Sequence, residues 1–279
     1  MRRNLLDLDK KKMTRKQRQI ADVIEKKDTS VVYATEQEIA DEAKVSIASV
    51  SRFWLFMGYK NFREYKQLVK KKMDRSPENK MRNTVEQFND DNIFSQLTEQ
   101  HFKNLVLTSK HFDQESFQHA IQTVIESEKL FIHAPASSEG LGDLLEYRLK
   151  RFGLRVERFA KSGFEIYESM VHMDEQSTIV IFQFVDLLPE TKVIFDYAAN
   201  IGARTILITD RLVTDMKELA DYTLYAHRGE MWEFHTMVSP VAVLEALVMG
   251  VGKQLEEDSI THLQKLSNIR KKYKEIIPK

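Results

Sequence analysis

The chain contains no cysteine, which removes disulfides, thiolate nucleophiles and thiolate metal sites together. Such a chain suits a reducing compartment, so a cytoplasmic location is expected. Only 5 prolines and 9 glycines are spread over 279 residues, which argues against a low-complexity or linker-rich chain. No apolar run approaches the roughly 20 residues of a membrane span. The longest apolar stretch, 236–251, is interrupted by Ser239, Pro240 and Glu245. The start, Met1-Arg2-Arg3-Asn4-Leu5-Leu6-Asp7, is basic but lacks the apolar centre of a signal peptide, so no membrane partner is expected. The length exceeds that of one ordinary domain and suits two.

Net charge is absent as well, but only on average. Residues 1–72 carry 18 Lys/Arg against 10 Asp/Glu, a net +8, and the remainder carries 24 against 32, a net −8. A basic small domain ahead of an acidic larger one points to a polyanion partner for the first alone.

The basic part reads as helical. The spacing predicts a helix over 14–27, with Thr14 as N-cap and Ile20, Ala21, Val23 and Ile24 on its apolar face. Thr35 and Glu38 then stand at capping-box spacing, and the helix they open runs to about Ala43. Lys44-Val45 makes a short turn, and Ser46 caps a second helix from Ile47 to about Met57. Ile39, Ala40, Ala43, Val45, Val50 and Phe53 can share one small core, with Ala40 small where the helices approach. Ile47, Ala48, Ser49, Ser51 and Arg52 are left near the outer face. Small and hydroxylated side chains at a helix start let the backbone approach base edges, and arginine reaches a phosphate or a guanine. A bare helical pair also suits a purely structural role. The segment Gly58-Tyr59-Lys60-Asn61-Phe62-Arg63-Glu64-Tyr65-Lys66 speaks against that. Gly58 ends the helix, Lys60 and Asn61 sit where a loop meets a DNA backbone, and Phe62 and Tyr65 anchor a further helix ending in Lys70-Lys71-Lys72. The expected DNA-binding set is Ser46, Ala48, Ser49, Ser51, Arg52, Lys60 and Asn61, with a double-stranded operator as partner.

Thr35-Glu36-Gln37-Glu38-Ile39-Ala40, Val45-Ser46-Ile47-Ala48-Ser49-Val50-Ser51-Arg52-Phe53 and Met57-Gly58-Tyr59-Lys60-Asn61-Phe62 together resemble the RpiR/MurR-type bacterial transcriptional regulators. The resemblance implies that Val45–Phe53 holds the recognition helix.

Residues 74–92 are polar and contain Pro77, which marks a boundary. A connecting helix is expected over 93–109, with Ile93, Leu97, Phe102, Leu105 and Val106 apolar. The expected division is a helix-turn-helix domain at 1–77, a linker and connecting helix at 78–110, and a second, larger domain at 111–279.

Beyond a helix at about 113–126, strands are expected at 129–134, 155–159, 178–183, 205–209 and 222–226. Helices are expected at 138–152, 163–171, 189–201, about 213–219 and 232–256. This alternation predicts an α/β domain with a doubly wound, parallel five-stranded sheet of flavodoxin-like order behind the all-α domain. Ligands of such sheets sit at the carboxyl ends of the strands. Two segments meet there. In Ala134-Pro135-Ala136-Ser137-Ser138, the paired serines either donate to an anion at a helix start or simply cap that helix. In Phe182-Gln183-Phe184-Val185-Asp186, Gln183 and Asp186 either bind sugar hydroxyls or belong to a plain surface loop.

Residues 113–255 resemble the sugar-isomerase (SIS) domain in Ser137-Ser138, Ile201-Gly202-Ala203, Ile206-Leu207-Ile208-Thr209 and Leu219-Ala220-Asp221. The resemblance implies phosphosugar binding, dimerisation, and DNA affinity set by the bound metabolite. Two turns depart from the family. Ala134 and Ala136 replace glycines of the first, and Gln183, Val185, Asp186 and Leu188 occupy hydroxyl and glycine places of the second. The loop His227-Arg228-Gly229-Glu230, with Trp232, Glu233, His235 and Thr236, is implied to help close the pocket, and Arg228 could replace lost phosphate donors. The expected effector set is Ser137, Ser138, Gln183, Asp186, Arg228, Glu233 and His235. No metal or cofactor is assigned, because loop His and Glu more often cap and solvate.

His133, His235 and Glu233 are the only tempting bases, and none lies in a catalytic pattern, so the chain is not expected to be an enzyme. Three readings remain: a regulator of carbohydrate metabolism sensing a sugar phosphate, a regulator whose degenerate SIS domain only dimerises, and a sugar-phosphate isomerase. A homodimer or larger homo-oligomer is expected, joined by apolar residues around 238–251 and along 93–109.

Overall fold

The computed structural model describes residues 13–72, 76–88, 90–160, 163–184 and 186–277. The basic start, Asp74-Arg75 of the linker and Val185 of the second turn lie outside the described residues. The chain divides into two compact units, one up to Ile93 with Glu230–His235, the other Phe94–Gly229 with Thr236–Lys279.

In the first unit, α1 (Arg15–Lys27) opens on a reciprocal pair. The Gln17 amide donates to Thr14 Oγ1 (3.4 Å), and the Thr14 amide donates to Gln17 Oε1 (2.8 Å). The same device opens α2 (Glu36–Ala43): Glu38 N donates to Thr35 Oγ1 at 3.2 Å, and Thr35 N to Glu38 Oε2 at 2.8 Å. Lys44 closes α2 in the left-handed region (φ 53°), and Val45 N reaches back to Ala40 O at 2.9 Å. That turn aims α3 (Ile47–Phe56), whose first turn is capped by Ser46. Gly58 (φ 84°) takes the chain away into α4 (Phe62–Lys72). Ile20, Ile24, Ile39, Ala40, Val50, Phe53, Trp54 and Tyr65 form the buried centre. Trp54 stacks on both Phe62 and Tyr65, at 4.8 Å between centroids in each case.

The polar boundary stretch holds a helix, α5 (Pro77–Val85). Ser76 caps it and Pro77 is at its first position, a start signal that outweighs the polar composition. Glu230–His235 belongs with this unit through α5: Asn83 Nδ2 donates to Trp232 O (3.0 Å), and Phe234 N donates to Thr84 Oγ1 (2.7 Å).

The second unit begins along α6 (Ile93–His111), pinned by Thr108, whose hydroxyl accepts from His227 N at 2.9 Å. After α7 (Gln114–Glu126) come β1 (Lys129–His133), α8 (Glu139–Lys150), β2 (Val156–Arg158), α9 (Glu165–Met170), β3 (Ser177–Phe182), α10 (Pro189–Ile201), β4 (Arg204–Thr209), α11 (Met216–Leu219) and β5 (Tyr222–Tyr225). Every pairing is parallel and the order is β2-β1-β3-β4-β5, the doubly wound arrangement the alternation predicts. Leu130 and Ile132 face one layer with α7, α8 and α12, while Phe131, Ile179 and Ile181 face the other with α9 and α10. Gly202, left-handed at φ 77°, ends α10 and lets the chain turn into β4.

Two expectations for the last helices need correction. The helix expected from 232 starts at Val238, because Glu233 N bonds to Glu230 O and Thr236 N to Arg228 O in a turn ahead of α12 (Val238–Gln254). Val243, Leu244, Leu247, Val248 and Val251 of α12 are core residues of their own domain, so most of the 238–251 part of the expected dimer surface is already used, while Phe102 and Val106 of the 93–109 part are exposed. A further helix, α13 (Glu256–Lys272), follows. Acidic residues in its first turn and basic ones in its last suit the helix dipole.

Candidate nucleic-acid interface and effector site

Val50, Phe53 and Trp54 bury one side of α3, which fixes what the other side presents. Ser46, Ile47, Ala48 and Arg52 are exposed, and Ser49 and Ser51 are half-buried. The Ser46 and Ser49 hydroxyls lie 3.0 Å apart, and Ser51 Oγ donates to Glu36 Oε1 at 3.3 Å. Arg52 Nε donates to Ala48 O (3.1 Å), which lays the guanidinium along the outer face. Lys60 is exposed in the loop before α4. Asn61 has a local duty too: its Oδ1 accepts from Glu64 N at 2.9 Å and caps α4.

At the carboxyl end of β1, Ala136 occupies the left-handed region (φ 52°) that favours glycine. Ser137 is exposed at the start of α8. Ser138 is buried and its hydroxyl donates to Pro135 O at 2.6 Å, so its side chain neither caps α8 nor points to solvent.

Beyond β3, Gln183 is buried in a relay rather than lying on a surface loop. Thr191 Oγ1 donates to Gln183 Oε1 (2.8 Å), and Gln183 Nε2 donates to Asp186 O (3.0 Å). Because the Thr191 proton is committed to Gln183, Thr191 accepts from His133 Nε2 at 2.9 Å, and His133 is the Nε2–H tautomer. Burial pushes the His133 pKa down to about 4; Arg158 adds to this and Glu190 opposes it. The unfolded chain therefore takes up this proton first as pH falls from its ordinary 6.5. The second domain is expected to lose about 3 kcal/mol of stability between pH ~6.5 and ~4. His133→Gln, which keeps a donor for Thr191, should flatten that slope in melting curves taken across this range. Equal slopes in the two proteins would exclude His133 as the cause.

The Asp186 carboxylate is 95% exposed and 3.8 Å from Arg211. Arg228, expected as a replacement phosphate donor, is buried and engaged: Nε donates to Asp210 Oδ2 at 2.8 Å, and the guanidinium carbon lies 4.2 Å from the Phe184 ring centroid. Burial raises the Asp210 carboxyl above its ordinary value, with Arg228 pulling the other way. Glu233 accepts from Gln87 Nε2 (3.3 Å), and His235 Nε2 lies 3.1 Å from Glu230 O; both residues group with the first unit. A cavity of about 790 Å³ opens at the carboxyl end of β2, lined by Glu139, Asp143, Arg158, Phe159, Phe164 and Glu165 among others.

Asp210, Thr191 and Phe184 were not among the expected site residues. The one usable signal was position, since Asp210 directly follows β4 and Phe184 lies two residues beyond β3.

A basic helix-turn-helix domain followed by a doubly wound parallel domain defines a DNA-binding regulator with an attached ligand-type fold. Residues 3–76 match the model described as the helix-turn-helix domain of the rpiR family. Over 218 residues the chain is 22% identical to an uncharacterized HTH-type transcriptional regulator of Haemophilus influenzae, covering 76% of this chain and 75% of that protein. The sugar isomerase domain of an RpiR transcription factor from Sphaerobacter thermophilus superposes with TM-score 0.59 at 18% identity, covering 63% of this chain and 98% of that one. Vibrio vulnificus NanR, solved in complex with ManNAc-6P, superposes with TM-score 0.58 at 18% identity, covering 93% of this chain and 94% of that one. At these identities the two structures establish the fold. The first domain belongs to the rpiR helix-turn-helix family, and the chain is a transcriptional regulator of RpiR type with a SIS-like second domain. Among the described residues no single helix is long and apolar enough to cross a membrane.

Proposed function

We propose that this cytoplasmic regulator controls genes of carbohydrate metabolism and that its second domain senses a phosphosugar or a related small anion. The observation that carries the DNA-binding half is the outer face of α3, where serines, Ala48 and Arg52 stand exposed or half-exposed on a domain of net positive charge. Ser46, Ala48, Ser49, Ser51 and Arg52 face base edges in this reading, with Lys60 and Asn61 on phosphates. The sensing half is supported by Ser137, exposed just ahead of α8 at the carboxyl end of β1, and by the likeness in fold to a protein solved with ManNAc-6P. Ser137 meets the effector, Ser138 and Gln183 hold the two turns, and Asp186 lines the mouth. Arg228 reaches an anion only by exchanging Asp210 for it. Glu233 and His235 fix the turn before α12 rather than the ligand. His133, neutral and proton-bearing toward Thr191, is badly placed to be a general base, which supports a non-enzymatic role.

A dimerising domain without an effector is the second reading, favoured by the engagement of Gln183 and Arg228. In either reading the homodimer forms along α6, which exposes Phe94, Phe102 and Val106.

The test is operator binding by the full chain, on sequences selected from a random pool, with and without millimolar phosphorylated and unphosphorylated sugars. Arg52→Ala is expected to lower operator affinity by about tenfold, in line with the ~1–3 kcal/mol of a base contact. Lys60→Ala should weaken all sequences alike and lower the salt slope by about one. A phosphorylated sugar should shift affinity in the native chain and not in Ser137→Ala. If none of the sugars shifts it, the dimerisation reading replaces the sensing one; unchanged affinity in Arg52→Ala and Lys60→Ala removes the DNA-binding assignment.

A further inference from the structure

Ile47 is the first residue of α3, and the residue is 44% exposed. It takes no part in the buried cluster of the first domain, to which α3 contributes Val50, Phe53 and Trp54. The other exposed large apolar residues of α3, Leu55 and Phe56, are at its far end. The first turn therefore exposes two apolar residues, Ile47 and Ala48, next in sequence to Ser46 and Ser49, whose hydroxyls bond to each other at 3.0 Å.

The residues at the start of a recognition helix are those that come nearest to base edges in the major groove. Isoleucine has no donor or acceptor. Pressed against the N4 amino group of cytosine, the N6 amino group of adenine or the acceptors of guanine, it would strip water from a polar edge and return no hydrogen bond. Thymine alone presents an apolar group in that groove, its C5-methyl. The charge of the domain, net +8 over residues 1–72, supplies the attraction to the duplex, and the apolar spot then meets one kind of base edge.

We propose that Ile47 is a specificity-determining residue that reads a thymine methyl in each operator half-site. This rests on the DNA-binding reading of α3 and adds to it a chemical group on the DNA. The flanking Ser46, Ser49 and Arg52 read or approach polar groups beside that thymine.

The experiment starts from sequences that the full chain selects out of a random duplex pool. Each thymine of the selected half-site is replaced singly by deoxyuridine, which removes the methyl and keeps the Watson–Crick pair. One position is expected to lose roughly fourfold in affinity, the worth of one methyl-sized apolar group taken out of water. In Ile47→Ala that loss should shrink to near nothing, while the same protein binds the deoxyuridine duplex about as well as the native chain does. Alanine is a better helix former than isoleucine, so a weakened α3 cannot produce this pattern. Leu55→Ala, at the far end of the helix, should leave the methyl effect in place. Selection of a sequence in which no thymine responds to methyl removal overturns the inference and leaves DNA binding intact. So does a methyl effect of equal size in the native chain and Ile47→Ala. Failure to select any sequence, with affinity insensitive to Arg52→Ala as well, overturns the DNA-binding reading itself.

Discussion

Trp54→Ala is expected to unfold the first domain and abolish DNA binding while the parallel sheet stays folded. Trp54 is fully buried in α3 and packs against the rings of Phe62 and Tyr65, with Phe53 edge-on at 5.3 Å. It holds the recognition helix to α4, and Tyr59 N bonds to its carbonyl at 2.9 Å where the chain turns between them. Truncating a buried Trp to Ala costs about 3–5 kcal/mol. A small helical domain has a total of roughly that size in hand. Hydrogen exchange read by segment should show α1–α4 losing protection and β1–β5 keeping it. Trp54→Phe is the companion variant. It keeps an aromatic plane in the stack and removes an indole N–H that has no acceptor among the described residues, so it should cost much less. Full protection of α3 in Trp54→Ala would show that the stack does not hold the domain together.

The second large effect is expected at Asp210→Ala. Arg228 is 3% exposed, and its charge is answered by a carboxylate whose own side chain is 9% exposed. Removing Asp210 leaves a buried guanidinium without its counter-ion, at a cost of about 3–5 kcal/mol. Arg228→Met leaves the smaller problem of an Asp210 that can take up a proton, since burial already favours its neutral form. The double variant, with neither charge, should recover most of the loss. Thermal melts of the four proteins make a double-mutant cycle; additive effects would show that the pair is not coupled.

The sheet order was legible from the alternation of apolar strands and helices, because a parallel sheet buried on both faces needs apolar runs of four to six residues with crossover helices between them. The helix-turn-helix was legible for a different reason: Thr35 and Glu38, and Ser46 ahead of Ile47, are local signals whose partners lie within three residues. The Arg228–Asp210 pair was not legible in this way. Its members are 18 residues apart and meet only because β4 and β5 pair with Thr209 beside Tyr225, which brings the residues just beyond both strands together. The same holds for His133 and Gln183, which share Thr191 across 58 and 8 residues. Composition misled at α12, where aromatic and polar residues from Trp232 to Met237 continue the helix pattern but the backbone bonds of Glu233 and Thr236 close a turn. It also misled about the apolar face of α12, since an apolar helix face reads the same whether it meets its own sheet or another subunit.

The all-parallel sheet has a consequence for how the two halves come to exist. No strand of the second domain can pair with its neighbour until a crossover segment has been closed between them, so every ladder forms across a long stretch of chain. The contacts of α1, α2, α3 and α4 span at most about sixty residues and are mostly between neighbouring helices. As the chain leaves the ribosome, α1–α4 emerge first and their folding is fast. The second domain follows later, when β3 emerges to pair with β1 and then accept β4. Between these two moments a nascent chain carries a folded recognition helix without its parallel-sheet domain.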